Sequence, residues 1–110
     1  MMFFMALPAE AKVVYKEKSG LGYNCVKYAR TIRPDLPQGL WTLQDKTKLI
    51  RTHDNPQPDM IVVTKGNKTG GHLGVVVAVG EEIVLIRESN YLTGFITLRK
   101  VKKTKILGYF

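Results

Sequence analysis

Near residue 60 the spacing of apolar positions along the chain changes period. Upstream, Val26, Ala29 and Ile32 recur at helical spacing, and Asn24 just ahead of them is a residue type that caps helix N-termini. A helix is therefore predicted from Cys25 to Ile32. Pro34 ends it, and the prolines and glycine of Arg33-Pro34-Asp35-Leu36-Pro37-Gln38-Gly39 mark a loop. A second short helix is predicted over Leu40 to Arg51, capped near Thr42, with Asp45 in its first turn and lysines later, as the helix dipole prefers. Asp54-Asn55-Pro56-Gln57-Pro58-Asp59 is a turn.

Downstream the chain reads as strands. Met60 to Thr64 is apolar and β-branched, and Lys65 to Gly71 is a glycine-bearing flexible loop. His72 to Val79 and Ile83 to Glu88 flank Gly80-Glu81-Glu82 as a hairpin, and Phe95 to Val101 and Ile106 to Phe110 follow. Helices followed by an antiparallel meander indicate an α+β fold, with N-terminal helices packed on a sheet of about five strands. No internal repeat or low-complexity segment interrupts it.

The length of 110 residues allows one domain with a single core, over residues 1–110. Met1 to Leu7 is apolar, and Ala9-Glu10-Ala11 has the small-x-small shape of a signal-peptidase site, but no Lys or Arg precedes it. Residues 1–11 are either the end of a truncated export signal or an apolar N-terminal extension. No apolar run approaches the roughly 18 residues that a membrane span needs. The 17 basic and 9 acidic residues give a formal charge of +8, which attracts polyanions: nucleic acid, anionic lipid, or envelope phosphates. One cluster, Lys100, Lys102, Lys103 and Lys105, reads equally as a solvated strand edge and as a binding patch. No nucleic-acid-binding motif is legible, so only net charge speaks for that partner.

The chemistry centres on Cys25, the only cysteine. One thiol forms no internal disulfide and no thiolate metal site. It is either a small buried hydrophobe or a nucleophile. At a helix start the unpaired backbone N–H groups favour thiolate and can hold an oxyanion. His72 stands where a glycine loop meets a strand, so its imidazole is placed at a sheet end. Glu88, or a near neighbour, comes opposite His72 across the hairpin, and Asn90 follows. Either could accept from one imidazole nitrogen and leave the other to the sulfur. Alone, His72 reads as a surface histidine and Glu88 as a strand-end charge paired with Arg87 or Arg99. Trp41 reads as a packing residue of the second helix. His53 reads as a solvent-exposed histidine without further metal ligands, and no metal or cofactor is expected.

In this order, Asn24-Cys25-Val26-Lys27-Tyr28-Ala29-Arg30, Gly71-His72-Leu73-Gly74-Val75-Val76 and Glu88-Ser89-Asn90-Tyr91 resemble the CHAP domain. These are the cysteine, histidine-dependent amidohydrolases/peptidases of the NlpC/P60 superfamily. The resemblance runs from about Gly22 to the closing Ile106-Leu107-Gly108-Tyr109-Phe110. It implies a papain-like fold and hydrolysis of an amide bond in peptidoglycan. It implies Cys25 as nucleophile, His72 as base, Glu88 as the residue that orients His72, and Asn90 as an assistant at the same ring. Tyr23 and Asn24 would line the cleft or serve the oxyanion. The family often has Gly-Asp before the first central strand, whereas this chain has Pro58-Asp59. The acidic calcium loop of some members is not visible in the lysine-rich Lys12 to Gly22.

The expected activity is thus a peptidoglycan amidase or endopeptidase, secreted, periplasmic or otherwise at the cell envelope, or phage-encoded. Anionic wall polymers are a further partner suggested by charge. The alternatives are an inactive relative that binds wall fragments or a partner, and a basic nucleic-acid-binding domain. Oligomeric state is not legible.

Overall fold

The computed structural model describes residues 12–19, 24–66 and 69–110. The N-terminal segment 1–11, read above as a signal remnant or extension, lies outside the described residues. The elements are β1 (Lys12–Lys18), α1 (Cys25–Ile32), α2 (Leu43–Thr47), β2 (Ile61–Thr64), β3 (His72–Val79), β4 (Ile83–Ser89), β5 (Phe95–Lys102), a 3-10 turn (Lys103–Lys105) and β6 (Ile106–Tyr109). The strands form one antiparallel sheet in the order β1-β5-β4-β3-β2-β6. The fold is α+β, with six strands where about five were expected.

The extra strand, β1, lies in the half of the chain read as helical. Its charged residues fall on both faces, and Val14 and Tyr15 are exposed. It docks by backbone pairing to β5, across a bulge at Val14, so it buries no apolar stripe for a period count to detect. Its presence also corrects the strand-edge reading of the lysine cluster. Lys100 lies on β5 where β1 pairs with it, Lys102 ends β5 beyond that pairing, and Lys103 and Lys105 belong to the 3-10 turn.

The helix α1 has the predicted bounds. Asn24 Oδ1 accepts from the Lys27 N–H at 2.7 Å, and the apolar face of Val26, Ala29 and Ile32 packs on the sheet. α2 starts at the expected cap, Thr42, with a reciprocal capping box to Asp45. It runs only to Thr47, not to Arg51. Beyond it the bonds from Leu49 to Lys46 and from Ile50 to Thr47 tighten the chain, and Arg51 and Thr52 pair with Tyr109 of β6. Ile50 lies directly on Gly108, where any Cβ would meet its methyl carbon at 2.5 Å. Backbone pairing with a strand nearly sixty residues downstream outweighs local helix propensity here.

Alternate residues of β2 serve two cores. Ile61 and Val63 join Leu73, Val75, Ala29 and Leu49 under the helices. Val62 joins Val76, Val84, Ile86, Val101 and Tyr109, a cluster made entirely of strand residues. Among the described residues no helix contributes to that second cluster. The catalytic candidates on strands project from this second face.

Candidate active site

The bulge in β3 decides which side chains meet. From the hairpin, Val79 pairs with Val84 and Ala78 with Leu85; then Val77 is extra, and Val76 pairs with Ile86 and Val75 with Arg87. Unshifted pairing would put Glu88 on the sheet face opposite to His72, because side chains alternate with period two. The extra residue restores Glu88 to the His72 face. The two are diagonal neighbours rather than directly opposite, within reach of a long side chain.

His72 Nε2 lies 2.8 Å from Glu88 Oε1. The ring N–H is not aligned along that line, so the contact is an ion pair more than a directed hydrogen bond. Glu88 is fully buried, and its carboxylate is fixed from β5. Arg99 grips it with Nε to Oε2 at 2.6 Å and Nη2 to Oε1 at 2.9 Å, and the Thr97 hydroxyl donates to Oε2 at 3.3 Å. Thr97 is directly opposite Glu88, and Arg99 is two residues further on the same face. The Arg99 guanidinium in turn stacks on Tyr91 at 3.8 Å, and the Tyr91 ring stands edge-on to His72. Gly66, at φ 64°, lies so close over His72 that a Cβ there would sit 2.6 Å from the histidine Cβ.

Cys25 opens α1 and lines the same cleft as His72, close enough for the two side chains to shift each other's titration. With Nε2 turned to Glu88, Nδ1 is the nitrogen left for the sulfur. The Leu73 backbone N–H is a further group whose influence favours the thiolate. Burial pushes the Cys25 thiol up, but the His72 bond and charge, the Leu73 N–H and the Lys46 charge outweigh it and hold the thiol below its ordinary value. Burial likewise pushes His72 down, and the contacts and charges of Cys25 and Glu88 outweigh it, so the imidazole is raised. For Glu88 burial acts upward, and Arg99 and His72 together hold the carboxyl below its ordinary value. These directions favour a thiolate–imidazolium pair over the neutral thiol and imidazole.

Cys25 and His72 share a cleft of about 350 Å³ with Asn24, Trp41, Lys46 and Asn90. A larger hollow, about 460 Å³, is lined by Thr64, Tyr91 and Arg99 and contains neither Cys25 nor His72. Asn24 spends its Oδ1 on capping α1. Asn90, at φ 69°, accepts from the Gly94 N–H through Oδ1 at 3.0 Å and so ties the turn after β4. Tyr23 lies outside the described residues. His53 is exposed, with Nδ1 3.0 Å from the Leu107 carbonyl.

Three residues of this region went unrecognised in the sequence. Trp41 is not packed: it is 78 % exposed at the cleft rim, because it precedes the α2 cap and its side chain falls outside the helix. The cap assignment carried that signal. In the sequence Arg99 reads only as an ordinary partner for Glu88, and its bidentate grip depends on β4–β5 register. Lys46 gave no signal at all, since a lysine in a short polar helix ordinarily faces water.

A model of the CHAP domain family matches residues 14–90, a span that includes Cys25, His72, Glu88 and Asn90. No match was found among curated proteins or solved structures.

Proposed function

The chain belongs to the CHAP domain family, and from that premise we propose that it is a peptidoglycan hydrolase, cleaving an amide bond with Cys25 as nucleophile. The observation that carries this reading is the convergence of a half-buried Cys25 on buried His72 and Glu88, with His72 Nε2 2.8 Å from Glu88 Oε1. Cys25 stands at a helix N-terminus within an open cleft. A merely packed thiol would need none of these partners. A helix that opens on Cys25 and a strand that opens on His72 support the papain-like reading.

The Cys25 thiolate attacks the amide carbonyl carbon, and the carbonyl π electrons move to oxygen. The Cys25 backbone N–H, one of the unpaired donors of the first helical turn, stabilises that oxyanion. His72 gives its Nδ1 proton to the leaving nitrogen, the C–N bond breaks, and an amine departs from a thioester. Neutral His72 then takes a proton from water, whose oxygen attacks the thioester. Collapse releases a carboxylic acid and restores the thiolate–imidazolium pair. Glu88 stabilises the His72 cation from the Nε2 side, and Arg99 fixes Glu88. Asn90 shapes the cleft wall beside the ring. The +8 charge supports attraction to anionic wall polymers, and an envelope, secreted or phage-borne setting follows from the substrate.

Clearing of cell walls embedded in a gel tests the activity. Fresh reduced protein is expected to clear them, and Cys25→Ala to abolish clearing. No clearing by the reduced wild type, with wall fragments still bound, would replace this reading by that of an inactive wall-binding module. Masses of the released fragments identify the bond.

A further inference from the structure

The cleft contains a charge that the proposed chemistry does not use. Lys46, on α2, is 4 % exposed, and its Nζ donates to the Gly70 carbonyl at 2.6 Å and the Trp41 carbonyl at 3.3 Å. Among the described residues no carboxylate pairs with it, and no acidic residue lines the cleft. It makes no hydrogen bond to Cys25 and acts on the sulfur through charge alone. An ammonium has three donors, so two carbonyl oxygens leave one N–H unassigned. Withdrawing a cation from water without an anion is costly, and an incoming carboxylate relieves that cost. Both carbonyls belong to segments that line the cleft, so they fix the ammonium in its wall, and Gly70 lies two residues before His72.

We propose that Lys46 is a specificity residue that takes a free carboxylate carried by the substrate next to the scissile amide. The cleft then selects amide bonds flanked by a carboxylate over the same bonds flanked by a carboxamide. This rests on the cysteine hydrolase reading. It names the substrate feature that the site recognises: an anionic peptide segment, held by a charge-assisted bond at a fixed distance from the sulfur. The long-range positive field of the protein brings such segments in, and Lys46 supplies the local contact.

The probes are soluble peptidoglycan fragments with free carboxylates, and the same fragments after carbodiimide coupling with ammonia. Wild-type kcat/KM is expected to fall about tenfold on amidation, mainly through KM, as loss of one charge-assisted contact requires. In Lys46→Met the preference ratio collapses to about one. Lys46→Gln, which keeps polarity without charge, is expected to do the same and serves if the methionine variant does not fold. A preference for free carboxylates that survives in either folded variant overturns the proposal, as does a wild type without preference. Binding of both fragment sets to Cys25→Ala protein separates the two readings. If wild type hydrolyses neither set, the hydrolase reading falls. A carboxylate preference in binding that Lys46→Met then removes still sustains the anchor, and equal binding of both sets removes it.

Discussion

Around Glu88 every buried charge has a partner of opposite sign, whereas among the described residues the buried ammonium of Lys46 has only carbonyl oxygens. Both regions border the same histidine strand. On the strand-only face, His72, Glu88 and Arg99 form a closed set: a carboxylate held by two guanidinium bonds, a hydroxyl and an imidazole. Such a set fixes geometry and leaves nothing for a ligand. On the helix side, two carbonyls among the described residues leave the Lys46 ammonium a third N–H donor, in the cleft that Cys25 also lines. On the proposed reading, the difference assigns one side of His72 to orienting the base and the other to receiving the substrate.

The sharpest way to break this comparison is to open the closed set. Arg99→Met leaves the Glu88 carboxylate buried without its main partner and is expected to cost about 3–5 kcal/mol of unfolding free energy in urea. The double variant with Glu88→Gln should lose less than the two single variants summed. A loss below about 1 kcal/mol in the single variant would mean that the ion pair is not what holds this side together.

The next effect is on the thiol. With Cys25 held low by His72 and His72 held high by Cys25 and Glu88, the sulfur is expected to alkylate with iodoacetamide at pH 6 at least about tenfold faster than in His72→Ala, one pKa unit being a factor of ten. On the alkaline side, proton loss from His72 ends its general-acid role. Glu88→Gln removes a charge that raises His72, so that limb of the activity profile should move to lower pH. Equal alkylation rates in wild type and His72→Ala would sink the ion pair.

Acid stability follows with its sign. Glu88 is lower in the folded protein than in the unfolded chain, so its contribution is complete above the unfolded value, near 4.5, and is lost as pH falls through the folded value. Wild type should therefore lose stability steeply below about pH 4.5, and Glu88→Gln should lose less over the same range, read by thermal melts. Parallel pH profiles would show that other carboxyls dominate.

The smallest effects sharpen the contrast. Thr97→Val removes one long bond to Glu88 and should cost about 1 kcal/mol. Lys46→Met removes no ion pair and should change stability by about 1 kcal/mol or less. If Lys46→Met destabilised as much as Arg99→Met, Lys46 would be structural and the comparison would fail.

Much of the α+β organisation was legible because local rules govern it. The apolar spacing of Val26, Ala29 and Ile32 with the Asn24 cap defines α1, and the Thr42–Asp45 box defines where α2 begins. The Gly80 hairpin closes where expected, with the Gly80 N–H bonded to the Ile83 carbonyl. The end of α2 was not legible, because Arg51 and Thr52 leave it to pair with Tyr109. β1 was not legible either, since an edge strand with exposed Val14 and Tyr15 shows no buried alternation. In the site, Cys25 and His72 could be picked out by their places at a helix start and a strand start. Trp41 differs from its reading as a packed helix residue because α2 begins at Leu43, three residues after the expected Leu40.

By itself the sequence determined the order of chemistry along the chain: a thiol at a capped helix start, an imidazole opening a strand, and a carboxylate ending the next. Those facts are local, set by dihedral preferences, caps and turn residues within a few positions. Tertiary structure decided which groups meet. A single extra residue at Val77 sets the face on which Glu88 projects, β5 register brings Arg99 to it, and the packing of α2 against β3 buries Lys46 in the cleft. Register and burial arise from long-range pairing, and the period-two geometry of strands turns a one-residue shift into a change of face.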